Sequence, residues 1–101
     1  MSEAEQDQNM ERWADTTVRP SADVVAQRVE DEIVLVNLTT NAIYTLNRTG
    51  ARAWELLESG SAPTEIPSKL AEEFDVERSE AAGELDRLLD ELVEKELVEK
   101  A

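Results

Sequence analysis

The chain has 101 residues, with 24 acidic side chains against 10 basic ones and a net charge of −14. That length suits one small domain, and the excess of acid disfavours DNA, RNA and anionic membrane surfaces, whose phosphates call for Lys and Arg. Cysteine and histidine are both absent, which removes disulfides, thiolate metal sites, the commonest general base and the commonest metal ligand.

Residues 1–18 are polar and acidic without periodicity: Glu3, Glu5, Asp7, Glu11 and Asp15 oppose only Arg12. They read as a flexible tail carrying an exposed Trp13, ahead of a domain over 19–101. The start of the chain has no apolar segment of signal-peptide type, and no run approaches the ~20 residues of a membrane span. With no Cys, this fits a cytoplasmic protein. Arg19-Pro20 marks the domain entrance, because the residue before proline is held extended.

Val24 to Val29 alternates and is β-branched, as a strand requires. Glu30-Asp31 is a polar break of hairpin size, though without the preferred Gly. Ile33 to Leu38 is apolar on both faces, the pattern of a central strand. Thr39-Thr40-Asn41 is a turn, with Asn able to take positive φ. Ala42 to Leu46 is a third strand, with Ala42, Tyr44 and Leu46 on one face and Ile43 and Thr45 on the other. Connections this short allow no crossovers, so the strands form an antiparallel meander.

The period then changes. Asn47 is a good N-cap for a helix carrying Ala51, Trp54 and Leu57 and stopping near Ser59-Gly60. Thr64 is placed to cap a second helix with Pro67 in its first turn and Ile66, Leu70 and Phe74 along one face. A third helix begins near Glu77 to Ser79 and carries Ala81, Ala82, Leu85, Leu88, Leu89, Leu92 and Val93, weakened by Gly83. Leu97-Val98 packs back on the domain. The fold class is α+β, winged-helix-like: a three-stranded antiparallel meander followed by three helices. Aromatics are only 4% of the chain, so the core is aliphatic.

Little here supports catalysis or a cofactor. The acids Glu84, Asp90, Glu91 and Glu94 fall at helical spacings and read as a solvated face. No segment has the alternating oxygen ligands and central Gly of a calcium loop. The three glycines are isolated, so no phosphate-cradling loop exists. Thr49-Gly50 opens the first helix, where free N–H groups favour an anion. The high acid content favours a basic or neutral peptide partner, or serves solubility alone.

What the meander leaves open is its edge. The stretch Asn41, Ala42, Ile43, Tyr44, Thr45, Leu46 follows the central strand and carries neither Pro nor charge to block pairing. It is therefore available to an extended peptide adding as a strand. Cover by a helix, by the N-terminal tail or by a second copy is the alternative.

At this point the segment Ile33 to Leu57 resembles the PqqD family. The specific part is Tyr44, Leu46 and Asn47, followed by Gly50, Ala51, Trp54, Leu56 and Leu57 in one register. Looser agreement runs from Pro20 to Val98. Two departures stand out. The family often has Gly before the final apolar pair, where this chain has Glu96, and an aromatic where it has Ile43. The resemblance implies a non-catalytic domain that binds the leader segment of a ribosomally made precursor peptide. The leader adds to the third strand, beside the last helix, and is presented to a maturation enzyme. That enzyme is a leader peptidase or cyclase in lasso-peptide pathways, or a radical SAM enzyme in pyrroloquinoline quinone assembly.

On this reading the strand Asn41 to Leu46 supplies backbone pairing. The side chains of Ile43, Thr45, Ala81, Leu85 and Leu88 read the leader, and Glu84 and Asp86 pair with a basic leader residue. Tyr44, Trp54, Leu57 and Leu92 belong to the core. Two other readings stay open. A DNA-binding winged helix would need a basic third helix, but Glu77 to Lys100 holds nine acids and four bases. A subunit that only stabilises an enzyme, or a homodimer formed through the same edges, is the other.

Overall fold

The computed structural model describes residues 10–100. Residues 1–9 of the acidic N-terminal segment lie outside the described residues. The strands are β1 (Val18–Pro20), β2 (Val24–Val29), β3 (Glu32–Asn37), β4 (Ile43–Leu46) and β5 (Val98–Lys100), and the helices α1 (Arg48–Glu58), α2 (Ile66–Phe74) and α3 (Arg78–Glu94). The main sheet has the order β2-β3-β4, antiparallel throughout. This is the α+β meander-then-helices order expected from the sequence.

Alternation along β3 sends Ile33, Leu35 and Asn37 to the buried face. Their cross-strand partners Leu46 and Tyr44 share it. The helices cover this face with Ala51, Ala53, Trp54, Leu56 and Leu57 of α1 and Ala82, Leu85, Leu89 and Leu92 of α3. Ile66 and Leu70 of α2 close the layer. The core is thus aliphatic with few aromatics, and trimming one of these leucines to Ala costs ~2–5 kcal/mol.

The turn chemistry is specific. Glu30 takes φ 58° at the β2–β3 hairpin, and Asn41 takes φ 67° before β4. The Asn47 side chain caps α1 by accepting the Gly50 N–H at 2.8 Å. At the other end of α1, Gly60 adopts φ 96°. Gly60 N–H there bonds Leu57 O and Ser61 N–H bonds Leu56 O, the paired bonds of a Schellman end. The same pair closes α3, where Glu96 N–H bonds Val93 O and Leu97 N–H bonds Leu92 O. Glu96 occupies the left-handed position with φ 59°. Glu96 therefore closes α3 with the same pair of bonds that Gly60 gives α1, and loads a side chain onto a conformation that favours Gly.

Three expectations are corrected. Thr64 does not cap α2. Pro63 opens a 3-10 turn over Pro63–Glu65, so Thr64 lies within it. The meander is not the only sheet, since β1 pairs with β5 in a second, two-stranded one. Each of these strands has three residues, too short for an alternation to show. Trp13 is not exposed. It is only 1% accessible and joins Met10 and Val18 in the core cluster. Its indole N–H donates to Asp86 Oδ1 at 2.8 Å, and the Arg12 guanidinium and Lys100 ammonium lie 5.2 and 5.0 Å from its ring centroid. Sequence polarity around Trp13 concealed partners some seventy residues away.

Candidate functional site

β4 is an edge of the main sheet, with no strand paired to its outer side among the described residues. Its free backbone groups follow from the register. Asn37 donates its N–H to the Ala42 carbonyl at 2.9 Å. In an antiparallel ladder, hydrogen-bonded and non-bonded pairs alternate. Leu35–Tyr44 and Ile33–Leu46 therefore continue the bonded set, while Val36–Ile43 and Val34–Thr45 form the non-bonded set. The N–H and C=O groups of Ile43 and Thr45 consequently point away from β3, toward the open side.

Next to that edge lies a cleft of about 350 Å³. Tyr44, Thr45 and Leu46 of β4 form one wall, and Ala81, Glu84, Leu85 and Leu88 of α3 form the facing one. Asn47, Thr49, Gly50 and Ala53 at the start of α1 close one end, and Leu70 and Val76 contribute apolar surface. Arg87 and Glu91 complete the α3 side. The cleft combines aliphatic side chains with polar groups from Asn47, Thr49, Glu84, Arg87 and Glu91, a combination suited to one or two apolar side chains carried on a polar backbone.

Tyr44 links the two walls. Its phenol donates to Glu91 Oε1. That bond, followed by partial burial, raises the phenol above its ordinary value of 10. Tyr44 was expected in the core; it is half-buried, with its ring packed on the core and its hydroxyl at the cleft. Trp54, Leu57 and Leu92, expected in the core, are buried.

The other proposed residues divide. Asn41 lies in the turn, its N–H bonded to Asn37 O at 2.7 Å, and Ala42 follows with its carbonyl paired to β3. Neither lines the cleft. Ile43 is 64% exposed and shares the outer sheet face with its cross-strand partner Val36 and, beyond it, Val25. Only its backbone is turned to the open edge, so its side chain does not read the cleft. Asp86 is a correction: it is held by Trp13 and Arg12 on a different face of α3 and does not reach the cleft. The Gly50 N–H considered for an anion is already taken by Asn47. Glu91 was missed as a site residue, although it continues the spacing 81, 84, 85, 88 by three. Nothing in the sequence marks Val76 or Arg87.

A family model described as coenzyme PQQ synthesis protein D (PqqD) matches residues 32–98. The chain belongs to the PqqD family. Among solved structures, it is similar to TbiB1 in complex with the TbiA(beta) leader peptide. That likeness has 37% identity and a TM-score of 0.75, covering 80% of this chain and 94% of the other. A lasso peptide synthetase B1 complexed with the leader peptide gives 23% identity and a TM-score of 0.74, covering 82% and 98%. The second likeness bears on the fold alone. No curated protein sequence matches. The PqqD match begins at residue 32, so β1, β2 and the segment carrying Trp13 lie outside it.

Proposed function

We propose that this PqqD-family protein binds the leader segment of a ribosomally made precursor peptide and presents it to a maturation enzyme, without catalysing a step itself. The observation that carries the reading is the open β4 edge beside the cleft. The 37% identical TbiB1, solved with a leader peptide, supports leader binding, and a lasso-type pathway is the setting proposed for it. An added strand would bond the N–H and C=O groups of Ile43 and Thr45. Its alternate side chains would fall beside Tyr44 and Leu46, over Leu85 and Leu88. Glu84 at the rim favours a basic leader residue. The maturation chemistry belongs to the partner, a leader peptidase or cyclase, and the cytoplasm is the proposed setting.

Thr45→Pro tests the mechanism. It deletes an N–H that β3 does not use, at an edge position where proline is tolerated. Fluorescein-labelled leader peptides serve as probes: the TbiA(beta) leader, and the leader of the precursor encoded nearest this chain. Saturable binding to the wild type and a loss of tenfold or more in Thr45→Pro are expected. One lost backbone bond is worth ~0.5–1.5 kcal/mol, and the ring blocks close approach as well. Unchanged affinity in a still-folded variant would sink the strand-addition reading.

A further inference from the structure

Residues 10–20 lie against the C-terminal half of the chain. Val18 to Pro20 pair with β5, and Trp13 and Arg12 reach α3. The contacts on α3 are directional. Trp13 Nε1–H and Arg12 Nε both donate to Asp86 Oδ1, at 2.8 and 2.9 Å, and Arg12 also pairs with Asp90. Asp86 and Asp90 are one turn apart on α3. At 3.6 residues per turn they stand roughly 160° and 200° around the helix from Leu88, which lines the cleft. The buried ridge Ala82, Leu85, Leu89 and Leu92 lies between these two faces.

That layout bears on what sets the roll of α3. Its core ridge is aliphatic, and such contacts are non-directional. Among the described residues, directional bonds between its side chains and other elements lie at its first residue, where Arg78 donates to Ser68 of α2, and, flanking the stretch that lines the cleft, on the cleft side from Tyr44 to Glu91 and on the far side from the Trp13 and Arg12 group. A small roll of α3 moves Leu88 and Glu84 relative to β4, and so changes the width of the cleft. We infer that the N-terminal strap, residues 10–20, holds the α3 wall in register with β4, with Trp13 and Asp86 as positioning residues for peptide capture. The inference rests on the proposed function for its peptide readout. It assigns the strap, which lies outside the matched family region, a share in binding although none of its residues lines the cleft.

The test uses the full chain labelled with 5-fluorotryptophan, whose two indole signals are separated by Trp13→Phe. Leader peptide is titrated while fluorine NMR and anisotropy are recorded. The Trp13 signal should shift and saturate together with binding. Asp86→Ala should weaken binding about tenfold, within the usual range of intramolecular coupling. Asp86→Asn, which keeps an acceptor for the indole N–H, should recover most of that loss. Asp86→Ala within twofold of wild type, with an unmoved Trp13 signal at saturating peptide, would overturn the inference. If the wild type binds no leader, the proposed function fails, and the strap is judged by hydrogen exchange alone. Faster exchange of the α3 amides from 84 to 91 in Asp86→Ala, with β3 amides unchanged, then supports it, and unchanged exchange across α3 overturns it.

Discussion

Among the described residues, Asn37 is the buried polar side chain, 3% exposed at the end of β3. Its Oδ1 accepts the N–H groups of Thr39 and Thr40 at 2.8 and 3.0 Å, and its Nδ2 donates to Glu96 O at 2.7 Å. One side chain thus shapes the turn that launches β4 and pins the end of α3. Two N–H acceptances and one donation to a carbonyl fix the amide orientation. Asn37→Ala strands all three backbone groups. Each lost bond is worth ~1 kcal/mol net, and more where the orphan is shielded from water, so ~2–4 kcal/mol in all is expected. That is a large part of a typical total of ~5–15 kcal/mol. Asn37→Asp separates the contributions. It keeps the acceptor for the turn but sets a carboxylate oxygen against the Glu96 carbonyl, in a site that penalises unpaired charge. It should be destabilised at least as much as Asn37→Ala. The assay is denaturant unfolding followed by tryptophan fluorescence, with equal slopes confirming that the native state is retained. Asn37→Ala losing under about 0.5 kcal/mol, or Asn37→Asp proving clearly the more stable of the two, would refute the reasoning.

Tyr44 is the single tyrosine of the chain, so its ionisation can be followed directly by ultraviolet difference absorbance. Its titration should lie above 10, and Glu91→Gln should bring it back toward that value, because the bond to Glu91 is the main cause of the shift. The sign follows from linkage. The phenol is raised in the folded state, so its contribution is fully present below pH 10 and is lost as pH climbs through the folded value. Glu96→Gly should stabilise the domain by up to ~1 kcal/mol in thermal melts, by relieving a left-handed side chain at the end of α3. Gly83→Ala should do the same for a different reason, since a Cβ there meets nothing within 4 Å and Ala is the better helix former. Leu88→Asp should weaken leader binding tenfold or more by placing charge in the cleft. Val25→Asp, on the exposed outer sheet face, should leave binding within twofold.

The parts legible in the sequence were those whose causes are local. The β2–β3–β4 meander follows from period-two alternation and short polar breaks, and the Asn47 cap and the Ser59-Gly60 stop follow from single residues with known backbone preferences. The choice of β4 as the open edge needed only its place after the central strand. What escaped depends on contacts distant in the chain. Trp13 sits in an acidic stretch with no pattern of its own, and its environment is made by Asp86 and Lys100. The β1–β5 pair joins the two ends of the domain through strands too short to show a period.

Asp86 and Glu84 show the same limit within one helix. Both are acids on a solvated-looking stretch, two residues apart, and two residues of α-helix turn a side chain by ~200°. Composition therefore treats them alike, while the fold sends Glu84 to the cleft and Asp86 to the strap. Ile43 makes the complementary case on a strand. Reading its side chain as a contact followed from its position on the edge, but pleating directs it to the outer face, and only its backbone faces an incoming peptide. The distinction changes what substitution can reveal. Ile43→Ala leaves the N–H and C=O in place and should leave the cleft intact, whereas Thr45→Pro removes an N–H that only an added strand would use. A large loss from proline beside a small loss from alanine is the pattern that backbone-led recognition requires.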